Sequence, residues 1–113
     1  MSTSTQMLKG ILEGCLLAVI ARGETYGYEM IEKLEEFGFT MISEGSIYPV
    51  LMRMQKEGLV TTVMKASPHG PKRKYYSITQ GGLDHLVDFQ ERWNELSKAV
   101  QALFNADITK GGQ

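Results

Sequence analysis

Near the C-terminal end of this chain runs an apolar seam that few folds can accommodate. Leu86, Phe89, Trp93, Leu96, Val100 and Leu103 follow one another at alternating spacings of three and four residues. This is the heptad rhythm of a helix packed lengthwise on another helix. Val87 and Phe104 widen the seam, which suits more than one neighbour. The pattern predicts one long helix over residues 80–105. A chain of 113 residues holds a single domain with a modest core, too small to cover such a helix along its length. A patch carrying Trp93 and Leu96 is rare on a soluble monomer. The seam therefore points to a homodimer with Leu86, Phe89, Trp93, Leu96, Val100 and Leu103 at the interface, joined there by the first helix.

Upstream, residues 6–22 read as that first helix. Met7, Leu8, Ile11, Leu12, Cys15, Leu16, Val19 and Ile20 form a wide apolar face, and Gly23 ends it. Gly10, Gly14 and Ala18 form a second, small-residue stripe. Two glycines inside a helix cost about 1 kcal/mol each relative to alanine, so close approach of a helix or a ligand is expected along the stripe. Residues 26–37 give a second helix with Thr25 as N-cap. Its apolar face is Met30, Ile31, Leu34 and Phe37, and its solvated face is Glu29, Glu32, Glu35 and Glu36. A third helix covers 44–57, with Ile47, Val50, Leu51 and Met54 inward and Gly58 as its stop. Either Ser43 or Ser46 caps it, and Pro49 belongs near its first turn or kinks it. Residues 59–66 and 73–79 read as strands joined by the turn Ser67-Pro68-His69-Gly70-Pro71. Disorder is expected at residues 1–5 and 106–113.

The order helix, helix, helix, strand, strand is that of a winged helix-turn-helix. The fold class is thus α+β, mainly α, with a winged domain over 6–79 and a dimerisation helix over 80–105. The third helix would enter the major groove and the hairpin would flank it. Charge sharpens this reading. The net charge is −1, yet no Asp or Glu occurs from Gly58 through Leu83. That window holds Lys65, Lys72, Arg73 and Lys74 besides His69, and Arg53 and Lys56 on the preceding helix add to the same sign. Neutralisation of phosphates by Lys and Arg dominates affinity for DNA. The competing explanation is an edge hairpin protected by lysines. The glutamates of the second helix must face away from any nucleic acid. Ser43, Ser46 and Tyr48 lie near the start of the third helix, where short polar groups and N–H donors reach phosphates and base edges.

Other chemistry finds no support. The histidines, His69 and His85, and the single cysteine, Cys15, lie on different elements without metal-ligand spacing. No phosphate-binding glycine loop is present, and Glu91 and Glu95 share a charged face with Arg92 and Lys98. No enzyme, cofactor or metal is expected. One cysteine admits no internal disulfide, in keeping with a reducing compartment. There is no leader pattern and no span of membrane length, so a cytoplasmic location is expected.

Three motifs carry a resemblance to a known family. They are Tyr26-Gly27-Tyr28-Glu29-Met30, Glu44-Gly45-Ser46-Ile47-Tyr48-Pro49-Val50-Leu51 and Gly70-Pro71-Lys72-Arg73-Lys74-Tyr75-Tyr76-Ser77-Ile78-Thr79. In register and in order, they resemble the PadR family of transcriptional regulators over residues 7–104. The single final helix looks like the smaller subfamily, in which that helix dimerises. The resemblance implies a repressor that binds operator DNA, with Tyr48 on the recognition helix and Lys72, Arg73 and Lys74 on the wing. It also implies a small planar aromatic effector in some members. One multidrug-binding branch stacks planar drugs on a tryptophan that matches Trp93. That branch has a large aromatic one turn earlier, where this chain has Gln90, and polar and branched groups on its first helix where this chain has Gly14 and Ala18.

The leading function is thus a DNA-binding repressor released by an aromatic effector. Its DNA-binding residues are Ser43, Ser46, Tyr48, Arg53, Lys72, Arg73 and Lys74, and its ligand-binding residues are Gly14, Ala18 and Trp93. The competing functions are a winged-helix module whose wing meets an acidic protein, and a multidrug-binding protein without operator recognition.

Overall fold

A computed structural model describes residues 7–40, 42–68 and 70–106. His69 and the chain ends, 1–6 and 107–113, lie outside the described residues, and so do the expectations placed on them, apart from Ala106. The elements run α1 (Leu12–Ile20), β1 (Thr25–Tyr26), α2 (Gly27–Glu36), α3 (Glu44–Lys56), β2 (Val60–Ser67), β3 (Gly70–Ile78) and α4 (Gln80–Asn105). This is a mainly helical winged fold with a long C-terminal helix, as the sequence leads one to expect.

The core gathers one stripe from each helix. Leu16, Leu17 and Ile20 of α1 meet Met30 and Leu34 of α2, Ile47, Leu51 and Met54 of α3, and Val60 and Tyr76 of the sheet. Burying a side chain of this size contributes roughly 1.5–3 kcal/mol, so this cluster holds the three short helices together. Leu17, absent from the expected apolar face, is fully buried, whereas Met7 is exposed.

Several local expectations need correction. The first helix is interrupted within its described residues. Residues 7–9 are helical, Gly10 and Ile11 form a turn, and α1 starts at Leu12. Thr25 does not cap α2. It lies in β1, its hydroxyl donates to Glu29 Oε1 at 2.6 Å, and Tyr26 takes the N-cap position. β1 itself was not expected. It pairs antiparallel with β3, Thr25 opposite Tyr76 and Tyr26 opposite Tyr75, giving a three-stranded sheet in the order β1-β3-β2.

The start of α3 is settled by Ser43. Its Oγ accepts from the Ser46 backbone N–H at 3.3 Å, and the two hydroxyls lie 3.0 Å apart. Pro49 lies in the second turn, inside the helix. At the other end, Gly58 (φ 78°) donates to the Gln55 carbonyl while Leu59 N–H reaches back to the Met54 carbonyl. This left-handed cap turns the chain from α3 directly into the wing. The hairpin is longer than expected, because β3 starts at Gly70 and includes Pro71.

Thr79 launches α4. Its hydroxyl accepts from Gly82 N–H at 3.0 Å and donates to the Gly58 carbonyl at 2.7 Å. The helix start is thereby fixed to the end of α3. Among the described residues, the first turns of α4 pack mainly on α1. Beyond Phe89 the helix projects, and the molecule reaches 64 Å in its longest dimension. Leu96, Leu103 and Phe104 each expose three-fifths or more of their surface.

Candidate nucleic-acid interface

Tyr48 in the second turn of α3 and Gly27 at the start of α2 face the wing across a groove of about 270 Å³. It is lined by Tyr26, Gly27, Tyr48, Pro71, Lys72, Arg73 and Lys74. No carboxylate is among these residues. Tyr48 projects from the second turn of α3 and lies over Gly27, where a methyl group would come within 3.2 Å of its hydroxyl. Burial, and secondarily the nearby Tyr48 hydroxyl, push the Tyr76 hydroxyl above its usual range.

Aromatic rings order the basic side chains. The Arg73 guanidinium stands 4.8 Å from the centre of the Tyr26 ring, and the Lys74 ammonium 5.9 Å from that of Tyr76. Tyr26 in turn packs edge-on against Tyr75 at 5.3 Å. A cation over a ring face is held at little cost to its charge, so Arg73 and Lys74 keep their positive ends available at the groove. Lys65 is used differently. It lies 4.6 Å from the Tyr75 ring centre and pairs with Glu24, and that hydrogen bond holds its ammonium above the usual lysine range.

The structure thus brings Tyr48 together with Lys72, Arg73 and Lys74. Ser43 and Ser46 are exposed at the start of the same helix. Arg53 stands apart. It does not line the groove, and its guanidinium is engaged by Glu13, with Nη2 to Oε2 at 2.8 Å, and by Glu57 at 3.7 Å. Sequence reasoning missed Tyr26 and Gly27 as groove-lining residues. Their signal was the Tyr26-Gly27 pair beside a strand rich in tyrosine.

A second region surrounds Trp93 on α4. One shallow groove of about 320 Å³ is lined by Gly10, Ile11, His85, Asp88, Phe89, Arg92, Trp93 and Leu96. Another of about 480 Å³ runs along Phe89, Gln90, Glu91 and Asn94 beside the same indole. Neither Gly14 nor Ala18 lines them. Gly14 is covered by the Phe89 ring and Ala18 is exposed to solvent. Among the described residues, no group of His, Cys, Asp or Glu gathers to hold a metal ion, and no helix is long and apolar enough to cross a membrane.

A capped third helix, a basic hairpin beside its start and a projecting final helix define a winged helix-turn-helix protein. The Transcriptional regulator PadR-like family matches residues 16–88, and the chain belongs to that family. A PadR-like transcriptional regulator from Bacillus cereus is 54% identical in sequence. It superposes with a TM-score of 0.81 over 90% of this chain and 99% of its own. The negative transcriptional regulator PadR of Bacillus subtilis is 29% identical over 98 residues, and this chain spans about half (53%) of its length. A structure of Bacillus subtilis PadR in complex with operator DNA matches at a TM-score of 0.64 and 26% identity. It covers 71% of this chain and 46% of that one.

Proposed function

We propose that this chain is a cytoplasmic transcriptional regulator that binds operator duplex DNA as a homodimer and represses from it. The observation that carries this reading is the groove in which Tyr48 meets Lys72, Arg73 and Lys74 with no carboxylate alongside. The Tyr26 and Tyr48 hydroxyls, the start of α2 at Gly27 and three cations converge there, a combination that positions a protein on phosphates. The residues assigned to DNA are Ser43, Ser46, Tyr48, Lys72, Arg73 and Lys74, with Arg53 joining them only if it leaves Glu13. Residues 6–79 act as the DNA-binding unit and residues 80–105 as the dimer helix. The name of the Bacillus subtilis relative supports repression.

The exposed seam of α4 supports the dimer. Two copies crossing there would enclose the shallow grooves beside Trp93, and a small planar aromatic effector stacked on the indole would bias the dimer between spacings. Such a ligand releases DNA only if it binds one spacing better. The test is capture of genomic DNA fragments by the purified protein followed by sequencing. Enrichment of a discrete site with two-fold symmetry is expected. Recovery no different from bulk DNA would speak for the wing as a contact to an acidic protein instead.

A further inference from the structure

The outward face of α3 is poor in hydrogen-bonding groups. Ile47, Leu51 and Met54 turn into the core. The opposite side of the helix therefore carries Gly45, Pro49, Met52 and Lys56, at helical spacings of four, three and four. All four are exposed, Met52 to 66%. Gly45 has no side chain, and the Pro49 ring neither donates nor accepts. Two long polar side chains beside this stripe are engaged within the chain. Gln55 Nε2 donates to Thr62 Oγ1 of β2 at 3.2 Å, and the Arg53 guanidinium donates to Glu13 at 2.8 Å. Met52 stands one turn beyond Tyr48, which lines the basic groove, and one turn before Gln55, which touches the wing. Residues three and four apart are neighbours on a helix surface, so Met52 lies on the side of α3 that borders the wing. It is outside the core cluster.

We propose that Met52 reads a thymine of the operator through its C5-methyl group. The inference rests on the duplex-DNA reading given above. A helix seated in the major groove turns its outward face to base edges while flanking groups hold the phosphates. Lys72, Arg73 and Lys74 are those flanking groups here. In that groove the thymine methyl is the apolar feature a base pair presents, and the other features are donors and acceptors. A thioether on a flexible, polarisable side chain packs on such a methyl. It offers nothing to the N7, O6 or amino groups of the other bases, and covering those without a partner costs affinity. Met52 is thus a specificity-determining residue that acts by contact, and its exposure in the free chain is apolar surface that the duplex covers.

The test selects duplexes from a random-sequence library with the purified full chain. Affinity for the selected site is then measured by fluorescence anisotropy, with each thymine replaced in turn by uracil, which lacks only the methyl. The wild type is expected to enrich a thymine at one fixed position in each half-site. Its affinity should fall roughly fourfold when that thymine becomes uracil in one half-site and roughly fifteenfold in both, the loss of one and of two buried methyl groups. Met52→Ala is expected to bind the thymine and uracil duplexes equally, with its circular dichroism and its mass by light scattering unchanged. A selected site at which no change of thymine to uracil weakens the wild type overturns the inference. So does a Met52→Ala chain that separates the two duplexes as well as wild type does, and so does a fall in its mass, which would give this face to a second copy of the chain. Each of these leaves the duplex reading intact. A wild-type chain that enriches no site overturns the duplex reading itself, and the inference with it.

Discussion

The Phe89 ring of α4 lies flat on the backbone of Gly14 in α1, so close that a methyl group at residue 14 would overlap the ring. A glycine that weakens its helix is thus matched by a helix–helix contact that needs the missing side chain. Gly14→Ala should gain about 0.5–1 kcal/mol of helix propensity and lose about 1–3 kcal/mol to overpacking. A net destabilisation of about 1–2 kcal/mol is expected in chemical denaturation, with a smaller penalty in a Phe89→Ala background. A more stable Gly14→Ala chain would mean that Phe89 is not seated on α1.

The free seam on α4 gives a sharper expectation about assembly. Leu96 and Leu103 expose 60% and 65% of their surface, on a helix that projects away from the core. Replacing both with Glu should leave α1–α3 and the wing folded, because neither residue belongs to the core cluster, and should halve the mass seen by light scattering at micromolar concentration. A wild-type chain already monomeric at that concentration would remove the dimer from the proposed function.

Loss of the Tyr48 hydroxyl isolates one contact. The ring lies over Gly27 and lines the groove beside Arg73, so Tyr48→Phe keeps its packing. A hydrogen bond to DNA is worth about 0.5–1.5 kcal/mol net, and binding to the captured operator should weaken by roughly three- to tenfold. Unchanged affinity in Tyr48→Phe would place the hydroxyl in solvent.

Cys15 offers a pH-dependent check on α1. Burial pushes its thiol above the usual cysteine range, and only the thiolate reacts with alkylating and disulfide reagents. At pH 7 the folded chain should therefore be modified more slowly than the chain unfolded in denaturant. The difference should narrow as pH rises through the elevated value. Equal rates folded and unfolded at pH 7 would show an accessible thiol.

What could be read from the sequence followed from repetition and punctuation. The seam of α4 repeats often enough to fix its length and face, and Gly58 and the β-branched run after it mark the passage into the wing. What escaped depends on long-range partners. β1 is two residues long and is a strand only because Tyr75 and Tyr76 of β3 lie opposite it. Gly14 reads as space for a helix or a ligand, and which of the two could not be read until Phe89, from the far end of the chain, was seen to fill it. Arg53 reads as part of a basic surface, and its neutralisation by Glu13 cannot be seen without the packing of α1 on α3. For the candidate interface, the basic run and Tyr48 were legible as residue types. The groove that joins them is set by the turn at Gly58 and the pairing of β1 with β3.

The wing provides the most direct measurement. Lys72, Arg73 and Lys74 are to be replaced together by Ala, and duplex DNA binding measured across a salt series, with circular dichroism to follow the fold. Each lost phosphate contact removes about 0.9 from the slope of log K against log salt. The triple variant should keep its helical signal, bind far more weakly and show a slope shallower by up to about 2.7 for each wing on the DNA, about 5.4 for the dimer. A folded triple variant with wild-type affinity and slope would contradict the assignment of this groove to DNA.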